Sequence, residues 1–438
     1  MRIRALARLD SFFTLPPETS VHPDIARDFR RNFMVNVGDQ ISWLFGASFV
    51  SVNAMLPVYA THLTSSPIVI GLIPALVDAG WFLPQLFLAP YVERLPRKKP
   101  LVMWLAVLER LPFMVLPLAA LWLTDLPRSL AAALFIGLVL VRSVGSGIVA
   151  GPWQELMAKV IPVSHRGRFF GTGHFLGQLL GVAGAAVAAW LLASLPFPQN
   201  FATSFAVGAV GIWLSLLFLG LTREPAVPVV ERPPHTNRDY VGRLREILRR
   251  DVNFRSFLIS RWLWYFGGMA FGFMAVYAVE RFHQPDSAAA VFTGILYAAG
   301  VVGYAVWGPI GDRLGHKRVM ELAGLLWLAA LIVALFSSAA WGFYLVFALM
   351  GFSSSGGVLS DLNIAMEFGT EAERPTYIGL ARTATGPALL IAPIVGGWIA
   401  QTFSYPALFV TALVFVVLGL VMLAARVQEP RHITSAER

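Results

Sequence analysis

Five ionisable side chains, Asp39, Asp78, Glu109, Arg110 and Arg142, lie inside stretches that are otherwise apolar, and Arg261, Asp361 and Arg382 fall nearer the ends of similar stretches farther along. Opposite charges in such surroundings can pair statically, exchange a proton in competition with a guanidinium, or receive a polar solute. In a bilayer each one costs about 2.5–3.5 kcal/mol on insertion, so it persists where it faces a partner or a cavity. The concentration in the first part of the chain places ion coupling there, with Asp78, Glu109, Arg110 and Arg142 as the proton-coupling group. Aromatic residues supply a second chemistry. Trp43, Trp81, Trp264 and Tyr265, with Trp262, can line a cavity for an apolar or ring-bearing solute, although tryptophan also serves as packing or as an interface anchor. Trp81 is one helical turn from Asp78, which makes that pair the leading solute-facing expectation; Asp39 and Asn53 complete the cavity candidates. His174 is expected to be a satisfied surface histidine.

The elements that must position these residues follow from composition. Hydrophobic residues make up 57% of the 438 and charged residues 13%, and no soluble fold could cover such a core with polar surface. A helix crossing the ~30 Å hydrocarbon layer needs about 20 mostly apolar residues, and only helices satisfy their own backbone there. Such segments lie near 33–60, 68–92, 100–123, 129–151, 168–193 and 202–222, then 256–280, 289–311, 319–338, 341–362, 376–401 and 405–425. The fold class expected is an all-α integral membrane protein with twelve transmembrane helices in two pseudo-symmetric six-helix bundles. Its parts are a tail (1–32), a first bundle (33–222), a linker with a surface helix (223–255), a second bundle (256–425) and a second tail (426–438).

All but six of the 34 lysines and arginines fall in the tails and the even-numbered loops, which predicts that both termini and the central linker are cytoplasmic, with the bacterial cytoplasmic membrane as the setting. The net charge of +9 is thereby a matter of orientation, and no nucleic-acid partner is expected. Residues 1–31 lack the apolar core and cleavage site of a signal peptide, so the first span reads as an uncleaved anchor. Arg2 to Phe13 is weakly amphipathic and reads as a surface segment or a free tail. The linker opens with Pro225, Pro228, Pro233 and Pro234, after which Tyr240, Leu244, Ile247 and Leu248 recur at helical spacing; this stripe can bind a regulator or lie against the membrane face. There is no cysteine, and the eight histidines have no metal-ligand spacing, so neither a metal nor a cofactor is expected.

The chain repeats itself. Ala-Pro-Tyr-Val-Glu-Arg-Leu-Pro-Arg-Lys from Ala89 follows the second span, and Gly-Pro-Ile-Gly-Asp-Arg-Leu-Gly-His-Lys from Gly308 follows the eighth. A second echo, Arg166 to Gly171 and Arg374 to Gly379, precedes the fifth and eleventh spans. The copy with Gly308, Asp312, Arg313, Gly315, His316 and Lys317 resembles the signature loop of the major facilitator superfamily. The first copy departs from it, with Ala89, Glu93 and Pro96 at the corresponding places. The resemblance implies a latch that shuts the cytoplasmic side, in which Glu93, with Arg94 and Arg97, meets the start of the eleventh helix near Tyr377, and Asp312 meets that of the fifth near Phe169. The same basic residues serve equally to fix topology.

Leu138 and Arg142, followed by Gly145, Ser146 and Gly147, are similar to the fourth-helix motif of proton-coupled drug exporters in this superfamily. The similarity implies that Arg142 stabilises ionised Asp78 or Glu109, so that protonation alternates with solute occupancy; a static ion pair between helices is the competing reading. Val52 to Pro57 looks like the first-span ending of the same exporters, with Ser48 where many of them carry aspartate. Pro393 to Gly397 resembles an antiporter element, but in a different helix from theirs, and its glycines, like Gly177, Gly181 and Gly184, read as packing contacts. No phosphate-binding loop is present. The function expected is therefore not enzymatic. It is secondary transport by a monomer in the bilayer, moving a small solute by alternating access with protons as the coupling ion. Export of an amphipathic or hydrophobic compound is one direction; uptake of a sugar, organic acid or other nutrient is another. A receptor or scaffold that has lost transport is a third reading.

Overall fold

The computed structural model describes residues 13–14, 22–82, 95–225, 237–369 and 373–430, and regular structure among them is helical throughout. The first helices are α1 (Pro23–Phe49), α2 (Met55–Leu63), α3 (Pro67–Phe82), α4 (Lys99–Trp122), α5 (Arg128–Val160), α6 (Val163–Ser194) and α7 (Gln199–Gly220). The linker carries α8 (Asn237–Arg250). Beyond it lie α9 (Val252–Gly267), α10 (Met274–Arg281), α11 (Ser287–Leu314), α12 (His316–Phe336), α13 (Trp341–Glu367), α14 (Arg374–Thr402) and α15 (Tyr405–Arg426). Among the described residues ten helices are long and apolar enough to cross a membrane, running from α4 to α15 and omitting α8, with α9 and α10 counting as one.

The packing is that of a protein dissolved in lipid. Trp104 is 75% exposed and Phe336 82%, whereas Asp39, Glu109, Arg110 and Arg261 are buried. Water would favour the reverse. Two expected spans are interrupted. Pro57 lies in the first turn of α2, where its missing N–H is harmless, and the break at 50–54 separates α1 from α2. The seventh span is relaxed into a 3₁₀ segment, Gly268–Phe273, where α9 gives way to α10. Helices α5 and α6 run well past the apolar stretches 129–151 and 168–193, to Val160 and from Val163. Their polar ends project beyond the apolar belt.

Helix α1 packs on α6 and α7, α4 on α5 and α7, and α3 on α5. The later helices reproduce every one of these contacts: α9 packs on α14 and α15, α12 on α13 and α15, and α11 on α13. The two groups meet through α6 with α11 and through α3 with α14. At the latter seam, Gly71 faces the Pro393 carbonyl and Gly397 that of Pro67, with no room for a Cβ.

A duplicated clasp ties the basic end of each group. Asn32 donates to the Arg223 carbonyl at 2.9 Å and accepts the Arg223 N–H at 2.8 Å. Asn253 does the same with Gln428, at 3.0 and 2.7 Å. The next residue is glutamate in both: Glu224 accepts the N–H groups of Lys98 and Lys99 at the start of α4, and Glu429 that of Lys317 at the start of α12. The opposite end is closed between groups by His62 with Asp286 at 3.1 Å and by Ser66 donating to Gln401 at 2.7 Å.

Helix α8 forms as its spacing predicts, but its apolar stripe is seated on protein. Leu244, Ile247 and Leu248 pack into a cluster with Phe254, Phe257, Tyr377 and Leu423. Arg250 pairs with Glu373 at 2.8 Å, and Tyr377 donates to Asp251 at 3.0 Å. Leu244, Ile247 and Leu248 of the stripe are thus seated on protein rather than on a membrane face. Residues 1–12 of the amphipathic tail lie outside the described residues.

Candidate functional site

A cavity of about 300 Å3 opens within the first group. Asp39, Gln40 and Trp43 line it from α1, Trp81 from α3, Glu109 and Arg110 from α4, Trp153 from α5, and Phe170 and His174 from α6. Four of the predicted residues thus share one wall system with Arg110, a predicted coupling residue. His174 is not a surface group: it borders the cavity and stacks on Tyr304 of α11 with rings 6.0 Å apart, because α6 rotates this face toward the second group.

Arg110 is the hub. Its guanidinium donates to the carbonyls of Ile212 and Ala106 at 3.1 Å, to Glu109 at 3.1 Å and to Ser215 at 2.9 Å, and lies 3.9 Å from Asp39. It also sits 4.9 Å from the Trp43 ring centroid. Trp43 packs edge-on to Phe113, over whose ring Arg142 lies at 5.4 Å. Arginine, tryptophan, phenylalanine and arginine therefore alternate across the first group.

Arg142 occupies the middle of the molecule. It is within electrostatic range of Glu109, Asp78 and Tyr297 of α11, and its Nε and Nη1 are buried without a hydrogen-bond partner. In the second group Tyr265 of α9 accepts a hydrogen bond from Arg261 at 2.7 Å, and Arg261 pairs with Asp361 of α13 at 2.7 Å. Each group thus holds an arginine-centred cluster, Asp39, Arg110 and Glu109 in the first and Tyr265, Arg261 and Asp361 in the second.

Sequence reasoning missed Arg261, Asp361, Tyr297 and Trp153 as members of the site. The signal for the first was present, since Arg261 and Tyr265 are four residues apart and must share a helix face. Two cavity candidates stand apart from this lining. The Trp264 ring packs within the second group against Gly324. Asn53 lies in the break between α1 and α2 and does not line the cavity.

In the signature loop, Gly315 has φ +91°, a conformation open to glycine. Among the described residues, nothing stands within 4 Å of where a Cβ on Gly308 would lie. Asp312, Arg313 and Arg97 are exposed, and Lys317 reaches the Ala424 carbonyl and Glu321. Glu93 and Arg94 lie outside the described residues. Tyr377, the expected partner of Glu93, is held by Asp251. The glycines of α6 and α14 are packing contacts, Gly177 against Leu44, Gly181 against Tyr297, and Gly396 against Met269.

A lipid-soluble helical assembly with a duplicated contact plan and a charged internal cavity defines a membrane transporter. The chain matches the Major Facilitator Superfamily over residues 41–300 and again over 257–438, and it belongs to that family. Members of that family are transport proteins rather than enzymes. Among similar proteins, the class B tetracycline resistance protein of Escherichia coli is 30% identical over 129 residues, 29% of this chain and 32% of that one. The multidrug resistance protein MdtG of Dickeya zeae is 27% identical over 183 residues, 39% of this chain and 44% of that one. The chain thus spans less than half the length of these curated relatives. Among solved structures, a D-xylose-proton symporter superposes with a TM-score of 0.66 at 15% identity, covering 92% of this chain and 99% of the other.

Proposed function

We propose that the protein is a proton-coupled transporter with twelve spans in two pseudo-symmetric six-helix halves, 33–222 and 256–425. In this reading α1 with α2, and α3, supply the two spans additional to the ten. Both termini and the linker face the cytoplasm of a bacterial cell, since the basic loops gather at one end, and the protein works as a monomer. The signature loop from Gly308 to Lys317 acts as a latch on that side.

The observation that carries the coupling is the series Asp39, Arg110, Glu109, Arg142 and Asp78. A carboxylate flanked by a guanidinium and shielded from water changes its proton occupancy when the solute or the other half alters that neighbourhood. Three tryptophans, Trp43, Trp81 and Trp153, face the same cavity and suit a ring-bearing solute. Both directions have support. Uptake is favoured by the relation in fold to a proton symporter, and export by the sequence relation to two resistance proteins.

The test is solute flux into proteoliposomes under an imposed pH gradient, for the wild type and for Asp78→Asn with Glu109→Gln. Coupling predicts gradient-driven flux that the double variant loses. Symport gives accumulation on the alkaline side and antiport on the acidic side. Proton movement surviving neutralisation of both carboxylates would end the coupling assignment.

A further inference from the structure

Solute transport leaves one charged surface unexplained, at the basic end of the second half. There α8, α9 and α15 converge, with Leu244, Ile247 and Leu248 packed against Phe254, Leu423 and Val427. The carboxylates around this junction are mostly spent inward. Glu373 pairs with Arg250 at 2.8 Å, Asp251 accepts the Phe254 N–H at 2.8 Å and the Tyr377 hydroxyl at 3.0 Å, and Glu429 accepts the Lys317 N–H at 3.1 Å. Arg245, Arg249, Arg255 and Arg426 face outward, and among the described residues none of them has an ion-pair partner. Glu246 is exposed as well and offsets one of the four charges.

Their placement distinguishes these arginines from an ordinary solvated face. Arg255 belongs to α9 and shares a helix face with Val252 and Ile259, which are 57% and 45% exposed. Its guanidinium donates to the Leu248 carbonyl at 3.2 Å, which sets it beside Arg249 at the end of α8, with Arg245 one turn back. On α15 the exposed apolar positions Val414, Val417 and Val421 lead toward Arg426. At about 1.5 Å of rise per residue, Arg255 stands about 6 Å beyond Ile259, and Arg426 about 7.5 Å beyond Val421. The headgroup layer is about 5–8 Å deep on each side of the hydrocarbon, so the guanidiniums emerge at the depth of the lipid phosphates.

We infer that the junction of α8, α9 and α15 binds the headgroup of an anionic phospholipid from the leaflet at the basic end. Guanidinium forks match phosphate oxygens in geometry and charge, and basic clusters flanking membrane spans recognise anionic lipids. A zwitterionic headgroup brings its own ammonium to the same arginines and gains less. The topological bias of basic residues accounts for arginines in a loop, but not for the seating of Arg255 on α8 or for neighbouring carboxylates turned inward. Because α8 belongs to the linker between the halves, a lipid bound here holds the linker to the second half. The inference is independent of proton coupling and of the direction of transport.

The experiment is native mass spectrometry of the purified full-length protein, titrated in detergent with phosphatidylglycerol, phosphatidylcholine or water-soluble glycerol phosphate. Each basic residue at an anionic lipid surface contributes a factor of about five, so phosphatidylglycerol should bind at least about ten-fold tighter than phosphatidylcholine, and glycerol phosphate more weakly than either. Arg249→Gln with Arg255→Gln should abolish the preference. Arg128→Gln with Arg281→Gln removes the same charge from the opposite end and should leave it unchanged. Glu246→Gln should strengthen phosphatidylglycerol binding, a gain that misfolding does not produce. Equal affinity for the two lipids, a preference that survives the Arg249 and Arg255 pair, an equal loss in the opposite-end pair, or weaker binding in Glu246→Gln would each overturn the inference. So would glycerol phosphate binding as tightly as the lipid, which would make the ligand a soluble anion.

Discussion

Replacing Arg110 by methionine keeps the unbranched stem of the side chain and deletes the charge on which the cavity wall is built. Four donor contacts disappear, but their losses differ. The Ile212 carbonyl keeps its bond from Ser215 at 2.7 Å, and the Ala106 carbonyl sits in an unbroken helix, so neither is orphaned. Asp39 and Glu109 lose the guanidinium that faced them. Breaking a buried pair by removing one partner costs about 3–5 kcal/mol, most of it the penalty of the stranded charge. Arg110→Met should therefore destabilise by about that much, and Arg110→Lys by roughly 1–2 kcal/mol, because a lysine keeps the charge but cannot reach the fork of acceptors. Adding Glu109→Gln to Arg110→Met should recover part of the loss, since the second substitution removes a charge that the first left unpaired. Equilibrium unfolding followed by tryptophan fluorescence measures this; thiol-reactive dyes would report nothing, as the chain has no cysteine. A cost below about 1 kcal/mol, or strict additivity in the double variant, would refute the idea that Arg110 organises the site.

Glu224→Gln should cost about 2–3 kcal/mol, because the carboxylate is nearly buried and takes charge-assisted bonds from two backbone N–H groups and from Lys159 at 2.8 Å; Glu429→Gln should cost less, its bond from Lys317 being longer at 3.1 Å, and chemical unfolding of both compares them. Asp286→Asn breaks the His62 pair at the closed end; a partly exposed ion pair is worth about 0.2–1 kcal/mol, so spin labels on introduced cysteines flanking that end should report a 1.4- to 5-fold gain in the open population, and an unchanged distance distribution would count against a gate there. At the start of α1, the hydrogen bond from Arg223 holds the Asp28 carboxyl below its usual range, against the opposing effect of burial. A depressed folded value means that this stabilisation is complete above the ordinary carboxylate range and fades as the pH falls through the lower one. Asp28→Asn should accordingly flatten the acid limb of a stability profile below about pH 4 and leave the neutral region less stable.

The helices were legible because lipid imposes a simple rule on sequence: a run of about 20 apolar residues has few alternatives to being a helix. Positions such as Arg142 and Asp78 stood out for the same reason, a charge being conspicuous against leucine and valine. What escaped was the company each charge keeps. Arg261 looked peripheral by its place near the start of a span, yet α9 packs so that it faces the centre with Tyr265. Trp264, next to Tyr265 in sequence, packs instead against Gly324. One residue of helical rotation, about 100°, separates a site residue from a packing residue, and apolar flanks on every side give no clue to the phase. The clasp was hidden for another reason: Asn32 with Arg223 and Asn253 with Gln428 act through backbone atoms, which leave little trace in the identity of their partners.

The two kinds of contact divide the molecule mechanically. Within each group, the ends of α1, α4 and α7, or of α9, α12 and α15, are tied by asparagine and glutamate to backbone N–H and carbonyl groups, each such bond contributing about 0.5–1.5 kcal/mol. Between groups, the long seam of α6 with α11 rests on surfaces such as Gly181 on Tyr297, Ala185 on Gly294 and the His174–Tyr304 stack, which can slide with little directional penalty. The directed bonds across the boundary, His62 with Asp286 and Ser66 with Gln401, sit at one end. Rocking about the seams, the motion alternating access would require, breaks these two bonds and leaves both clasps intact.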